Sequence, residues 1–239
     1  CKYRIGTTGT LDGSEIHQLV LEGLFDKHHV VTTTAKLIKR KFLSNLHIKC
    51  LLLNHTKENR FRRTYQEEMD YLSKSPARNN FICKLAIFQD GNTLILAQYI
   101  NQLQTLTLAL KDHTKDRKVF FVYGGTDAAD RDKIRGIVEK ENDAIIVASY
   151  GVFSMGINIK RLHNIIFGSP YKSQIKVLQS IGRGMRLTED KTECNLFDIA
   201  DDMSYNNRSN YTLKHLEERV RIYSSQEFDY EIVPVKLKS

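Results

Sequence analysis

From about residue 76 onward, short apolar runs recur along the chain: Thr93–Ala97 (TLILA), Val119–Tyr123 (VFFVY), Ala144–Ala148 (AIIVA), Asn164–Phe167 (NIIF) and Asn195–Ile199 (NLFDI). They are rich in β-branched and aromatic residues and lack internal alternation, the pattern of strands covered on both faces. Between them lie stretches of helical periodicity, Tyr99–Lys111, Ala128–Glu141 and Gln174–Arg186; in the first, Ile100, Leu103, Leu106 and Leu110 share one face. Strand, helix and strand repeated in this way predict right-handed crossovers and a parallel sheet with helices on both faces, an α/β fold.

The two ends break this rhythm. Residues 1–27 read as a strand entering the turn Gly6-Thr7-Thr8-Gly9-Thr10, then a short helix from Ser14. Val30–Thr34 fits either a strand or an extended linker. Thr64–Leu72 reads as a helix ended by Ser75-Pro76. Leu213, Leu216, Val220 and Tyr223 mark an amphipathic helix, and Phe228–Leu237 an edge strand containing Pro234.

At 239 residues, 41% apolar and 27% charged, the composition is that of an ordinary globular protein. No apolar run approaches the roughly 18 residues of a membrane span, so no membrane partner is expected. The cysteines, Cys1, Cys50, Cys83 and Cys194, never form a C-x-x-C pair. That argues against a zinc site and a disulfide framework and fits thiols in a reducing cytoplasm. His47 and Cys50 have ligand-like spacing but no second pair, so no metal site is expected.

Net charge is +8, and it is not spread evenly. Lys36, Lys39, Arg40, Lys41, Lys49, Lys57, Arg60, Arg62 and Arg63 fall in one strip with Glu58 as its only acid, leaving 27 basic and 27 acidic residues elsewhere. Charge alone leaves open a solvated basic face and a nucleic-acid footprint.

Two segments carry candidate chemistry. Gln179-Ser180-Ile181-Gly182-Arg183-Gly184-Met185-Arg186 sets two arginines at a helical spacing, and arginine offers a permanently charged fork matched to phosphate oxygens. Aimed into a cleft, such a pair can stabilise the charge that develops in phosphoryl transfer. The run Ala144–Ala148 leads into Ser149-Tyr150-Gly151-Val152-Phe153-Ser154-Met155-Gly156-Ile157-Asn158. A hydroxyl- and glycine-bearing loop at the carboxyl end of a parallel strand is where open α/β sheets bind ligands.

Taken in order, Thr8-Gly9-Thr10, Thr93-Leu94-Ile95-Leu96, Ala148-Ser149…Gly156-Ile157-Asn158 and Gln179-x-x-Gly182-Arg183-x-x-Arg186 resemble motifs III, IV, V and VI of superfamily 2 helicases. Tyr123-Gly124-Gly125-Thr126 with Arg131 and Arg135 resembles the Gly…Arg element between IV and V. The resemblance covers essentially the whole chain and is nearest to the UvsW group of T4-type phages and the XPB-like and RecG-like DNA translocases; Arg78-Asn79 fits that branch. It implies a RecA-like fold, ATP with Mg²⁺ as cofactors and DNA as partner. On this resemblance Arg186 is the principal arginine finger, helped by Arg183, with Gln179 placing the attacking water or the nucleotide. Gly156, Asn158 and Gly182 line the nucleotide side; many relatives carry Asp where Asn158 stands, and the amide still bonds a ribose hydroxyl. Thr8, Gly9 and Thr10 couple hydrolysis to domain movement. Gly124, Gly125, Thr126, Ser149 and Tyr150 contact the tracked strand, and Arg60, Arg62 and Arg63 add a salt-sensitive grip on phosphates.

No G-x-x-x-x-G-K-[ST] and no Asp-Glu pair occur, so the groups that hold phosphates and Mg²⁺ are not expected in this segment. The resemblance therefore predicts residues 1–27 as the end of a first RecA-like domain, 28–36 as linker and 37–239 as the second RecA-like domain. The segment is expected to be a monomer, inactive alone, partnered by the first motor domain of the same protein, and cytoplasmic (the host's cytoplasm if phage-encoded). The expected function is an ATP-dependent DNA helicase acting on branched DNA. The alternatives are an RNA helicase, a restriction-type translocase motor and a non-catalytic nucleic-acid-binding module. The lack of any apolar run followed by G-x-G-x-x-G argues against a dinucleotide-binding oxidoreductase.

Overall fold

The computed structural model describes residues 4–7, 15–27, 29–60, 62–114, 116–154, 159, 161–169, 174–188 and 191–237; at 15–18, 57, 153, 154, 174–176, 179 and 183 it describes the backbone alone. Seven strands form one sheet: β1 (Asn45–Asn54), β2 (Thr93–Ala97), β3 (Val119–Val122), β4 (Ile145–Ser149), β5 (Asn164–Phe167), β6 (Glu193–Asp202) and β7 (Tyr230–Lys236). Their order is β3-β4-β2-β5-β6-β1-β7, and every neighbouring pair is parallel. The α/β expectation therefore holds in the RecA-like form. β2, β4 and β5 are buried along nearly their whole length, which is why their runs carry no alternation.

The helices are α1 (Glu15–Phe25), α2 (Thr34–Lys39), α3 (Tyr65–Lys74), α4 (Pro76–Ile87), α5 (Ile100–His113), α6 (Ala128–Val138), α7 (Tyr150–Ser154), α8 (Gln174–Gly184) and α9 (Tyr211–Ser225). Two cores result. One face of the sheet packs on α4 and α5 through Ile82, Ala86, Leu103, Leu106 and Leu110. The other packs on α6, α8 and α9 through Val138, Val177, Ile181, Leu216 and Tyr223. β7 is the edge strand, and its Pro234 stands opposite Leu52 of β1.

β1, α2, α4 and α7 were not expected. β1 lies inside the basic strip: its exposed positions Asn45, His47 and Lys49 alternate with buried Leu46, Ile48 and Cys50. Lys49 reaches Glu231 of β7 at 3.4 Å, so part of the excess charge is answered across the sheet. α4 begins where a helix was expected only to end. Ser75 closes α3 and its Oγ accepts the Arg78 N–H, with Pro76 in the first helical turn, where its missing N–H costs nothing. The run 30–34 is not a strand; Thr33 caps α2, its Oγ1 accepting from the Lys36 N–H.

The chain runs outward from β2 through β3 to β4, then crosses β2 to enter β5. The sheet therefore has its switch point between β2 and β5, the place where open α/β sheets bind ligands at the carboxyl edge.

Candidate functional site

The loops over that switch point share one buried polar network. Ser169, just past β5, accepts the Gln98 N–H at 3.2 Å on its Oγ and donates to Gln102 Oε1 at 2.9 Å, while its carbonyl accepts the Tyr150 hydroxyl at 2.9 Å. Gly168, beside it, packs so closely that an added Cβ would lie 3.3 Å from the Leu96 carbonyl oxygen. The Gly168 carbonyl accepts Arg78 Nη1 at 2.7 Å, and Arg78 Nε reaches both oxygens of Asp201 at 3.0 Å. His55 Nε2 lies 2.9 Å from Asp201 Oδ1. Burial would raise the Asp201 carboxyl, but the Arg78 guanidinium and the His55 contact outweigh it and hold it below the usual carboxylate range. The segments following β1, β2, β4 and β5 are thus tied together and to Asp201 near the end of β6.

From the loop after β5, α8 runs back along the sheet to the amino ends of β5 and β6. Gly184 is buried, and a Cβ there would lie 2.6 Å from Ile165 Cδ1 and 2.8 Å from Cys194 Sγ, so only glycine allows the helix to seat on β5 and β6. Gly182, two residues earlier, faces the other way: it is exposed, with open space where a side chain would stand. The helix ends at Gly184. Met185 is buried, its carbonyl accepting the Ser44 N–H at 2.8 Å, and Arg186 emerges exposed after it. The expected helix to Arg186, with both arginines on one face, is therefore corrected: Arg183 lies in the helix and Arg186 two residues beyond it. Lys191 holds the turn. It is buried, and its ammonium donates to the Gly184 carbonyl and, at 3.1 Å, to the Arg186 carbonyl. Burial pushes the Lys191 ammonium below its ordinary pKa. A cation at a helix carboxyl end also answers the unpaired carbonyls and the helix dipole.

The other expected residues divide. Gly124 and Gly125 are exposed in a turn after β3 in which the Thr126 N–H donates to the Tyr123 carbonyl at 2.9 Å. Ser149, at the end of β4, accepts the Val152 N–H on its Oγ at 3.4 Å. The Tyr150 ring is turned into the core against Phe167, with centroids 5.8 Å apart. Its expected contact with a strand is corrected to anchoring the β4 loop on Ser169. Of the three strip arginines expected to grip phosphates, Arg62 is exposed, whereas Arg60 Nε donates to the His55 carbonyl, and Arg63 Nη1 donates to the Asn59 carbonyl while its guanidinium lies 4.4 Å from the Tyr71 ring centre. The strip is thus not one continuous face. Thr8, Gly9, Thr10, Gly156 and Asn158 lie outside the described residues, as do the side chains of Gln179 and Arg183.

Lys191, Asp201, His55 and Ser169 were not singled out from the sequence. Each acts on partners 5 to 146 residues away, and no local spacing signals that. Among the described residues no group of three or more His, Cys, Asp or Glu side chains is placed to hold a metal ion, and no helix is long and apolar enough to cross a membrane.

Residues 77–188 match the helicase conserved C-terminal domain family. The chain is 30% identical over 253 aligned residues to the ATP-dependent DNA helicase UvsW of Enterobacteria phage T4, covering 99% of this chain and 50% of that protein. The crystal structure of T4 UvsW superposes with a TM-score of 0.67 over 94% of this chain and 46% of that one. The chain thus spans about half the length of this relative. A Type ISP restriction-modification enzyme, LlaBIII bound to DNA, shares the fold alone, at 14% identity and a TM-score of 0.62 over 90% of this chain and 17% of that one. On the domain match, the similarity along the chain and the parallel RecA-like sheet, residues 77–188 are a superfamily 2 helicase C-terminal domain.

Proposed function

We propose that the chain is the second motor domain of an ATP-dependent DNA helicase or translocase that acts on branched DNA, such as Holliday junctions and stalled forks, in recombination, repair and replication. The observation that carries this reading is the mounting of Arg186. An exposed arginine on a segment fixed by Gly184, Met185 and Lys191, just past the open face of Gly182, suits a phosphate presented from across a cleft. ATP and Mg²⁺ are held mainly by a first RecA-like domain outside these 239 residues. Here Arg186 and Arg183 meet the γ-phosphate, Gln179 the attacking water, and Gly156, Asn158 and Gly182 the nucleotide. Gly124, Gly125, Thr126 and Ser149 contact the tracked strand, and Arg62 adds charge.

Residues 1–27 are the end of the first domain, Thr8, Gly9 and Thr10 coupling the two, and 28–36 link it to the rest. In support, Leu19, Val20, Leu24 and Phe25 of α1 are all exposed, an apolar surface suited to a neighbouring domain. The work of the domain is then to supply the arginines when the cleft closes and to move the strand as it opens.

The test is Arg186→Ala in the complete protein. DNA-stimulated ATP hydrolysis is expected to fall by roughly 10³-fold or more with ATP affinity nearly unchanged, and the 239-residue chain alone is expected to show no turnover. Wild-type turnover in the variant removes the finger assignment. Comparing unwinding of branched DNA, plain duplex and RNA duplex tests the substrate.

A further inference from the structure

At the carboxyl edge, four strands from β3, the chain leaves β6 through Met203–Asn210 before entering α9. The base of this loop is pinned by Asn210, whose Oδ1 accepts the Met203 N–H at 3.0 Å and whose amide donates to the Asp201 carbonyl and to Glu68 Oε1, both at 2.9 Å. At the tip, Tyr205 and Arg208 exchange both backbone hydrogen bonds, at 3.1 and 2.9 Å. Between them Asn206 and Asn207 hold φ of 48° and 58°. Two left-handed central residues define a tight hairpin turn, and asparagine is among the few side chains that enter that region readily. Residues paired in this way project their side chains to the same side. Tyr205 is 45% exposed and Arg208 is exposed.

A rigid mount that holds an aromatic ring and a guanidinium together in solvent adds nothing to the core. Its neighbours share its chemistry. Arg63 Nη1 lies 3.9 Å from Met203 Sδ, and Arg60 Nη2 lies 3.8 Å from Asp202 Oδ2, so the loop abuts the segment that carries exposed Arg62. The nearby acids are already engaged: Asp202 Oδ1 accepts the Ser204 N–H, Glu68 is buried on the start of α9, and Glu67 caps α3 through the Thr64 N–H. The Met203–Lys214 stretch contains Arg208 and Lys214 and no acid.

We propose that the Tyr205–Arg208 turn is a stacking contact for an unpaired DNA strand, with a base on the Tyr205 ring and flanking phosphates on Arg208 and Arg62. Single-strand binding combines these two parts, since every base has a face to stack and every nucleotide a phosphate. The proposal rests on the helicase reading and extends it to a second place. β6 lies four strands from β3, about 19 Å at roughly 4.8 Å per strand, so the turn and the Gly124–Thr126 loop cannot hold the same nucleotide.

The chain contains no tryptophan, so Tyr205→Trp in the 239-residue chain creates a lone fluorophore at the turn. Oligo(dT) is expected to quench it saturably, while a blunt duplex at equal phosphate concentration, or inorganic polyphosphate, is not. By fluorescence anisotropy of labelled oligo(dT), Tyr205→Ala is expected to bind about fivefold or more weakly, and Tyr205→Phe to keep the wild-type affinity. Oligo(dT) that binds without quenching overturns the proposal and leaves the helicase reading intact, as does equal quenching by duplex or polyphosphate. A wild-type chain that binds no DNA in the anisotropy measurement overturns both.

Discussion

Asp198 and Asp201 lie three residues apart on β6 and so face opposite sides of the sheet. Both are fully buried and both are answered by a buried arginine. Arg219 approaches Asp198 with Nε 2.7 Å from Oδ2 and Nη2 2.7 Å from Oδ1, and the Tyr223 hydroxyl donates to Oδ2 at 2.8 Å. Both partners stand on α9, so this contact fastens one helix to the sheet. The charge is felt locally: burial first, and then Asp198, push the Cys50 thiol far above its ordinary value. Asp201 draws its partners from α4 and the end of β1, and through Arg78 it reaches the carbonyl after β5. Equal burial and equal pairing thus serve different ends. What separates them is how many functional loops the partners hold, and substitution can test that.

The largest effect belongs to Arg219→Ala. It leaves Asp198 and its charge inside the α9 face and is expected to lower the unfolding free energy by about 3–5 kcal/mol, read from urea denaturation of the 239-residue chain. The folded fraction at low temperature should bind DNA as before, because nothing at the carboxyl edge has moved. A loss of DNA affinity at full folding would erase the distinction between the two aspartates.

Asp201→Asn comes next. It preserves shape but leaves the Arg78 guanidinium facing a neutral amide, an expected loss of about 3 kcal/mol. Here DNA affinity should fall as well, since the carbonyl that Arg78 steadies belongs to the β5 loop. The pH dependence has a definite sign. Asp201 is held below the usual carboxylate value in the folded chain, so its contribution is present above the unfolded pKa of about 4 and is lost as pH falls through the lower folded value. Wild type should therefore lose stability below about pH 4 more steeply than Asp201→Asn, as measured by urea midpoints across that range. Equal slopes would mean that Asp201 titrates alike in both states.

The same contrast marks what is legible in the residues alone. The central strands can be read directly because burial on both faces demands unbroken apolar runs. β1 hides because half-burial gives it His47 and Lys49 on one face, and these merge with neighbouring lysines and arginines into an apparent basic strip. α4 hides because Ser75-Pro76 reads as a stop, although the same pair starts the next helix. Tyr150 looks like a ligand contact, and only the carbonyl of Ser169, nineteen residues on, reveals that its hydroxyl is taken. The Arg183–Arg186 spacing implies one helical face until the close seat of Gly184 ends the helix. Contacts that span the sheet leave no periodic trace.

Lys191 sharpens the comparison from a third side. Like Arg219 it is a buried cation, but the oxygens it meets are the carbonyls of Gly184 and Arg186. Lys191→Met keeps the apolar stem and removes the charge, so relief of desolvation offsets the lost hydrogen bonds. The net stability change should be no more than about 1 kcal/mol, a small shift in Tm. The Arg186 main chain then loses its tether, and a misplacement of the order of 1 Å can cost about 10²-fold in rate. In the complete protein kcat for DNA-stimulated hydrolysis is expected to fall about tenfold or more with KM for ATP unchanged, and Lys191→Arg should restore part of it by reaching the same carbonyls. A large loss of stability with unaltered kcat in the folded fraction would instead place Lys191 beside Arg219, as a fastener of the fold.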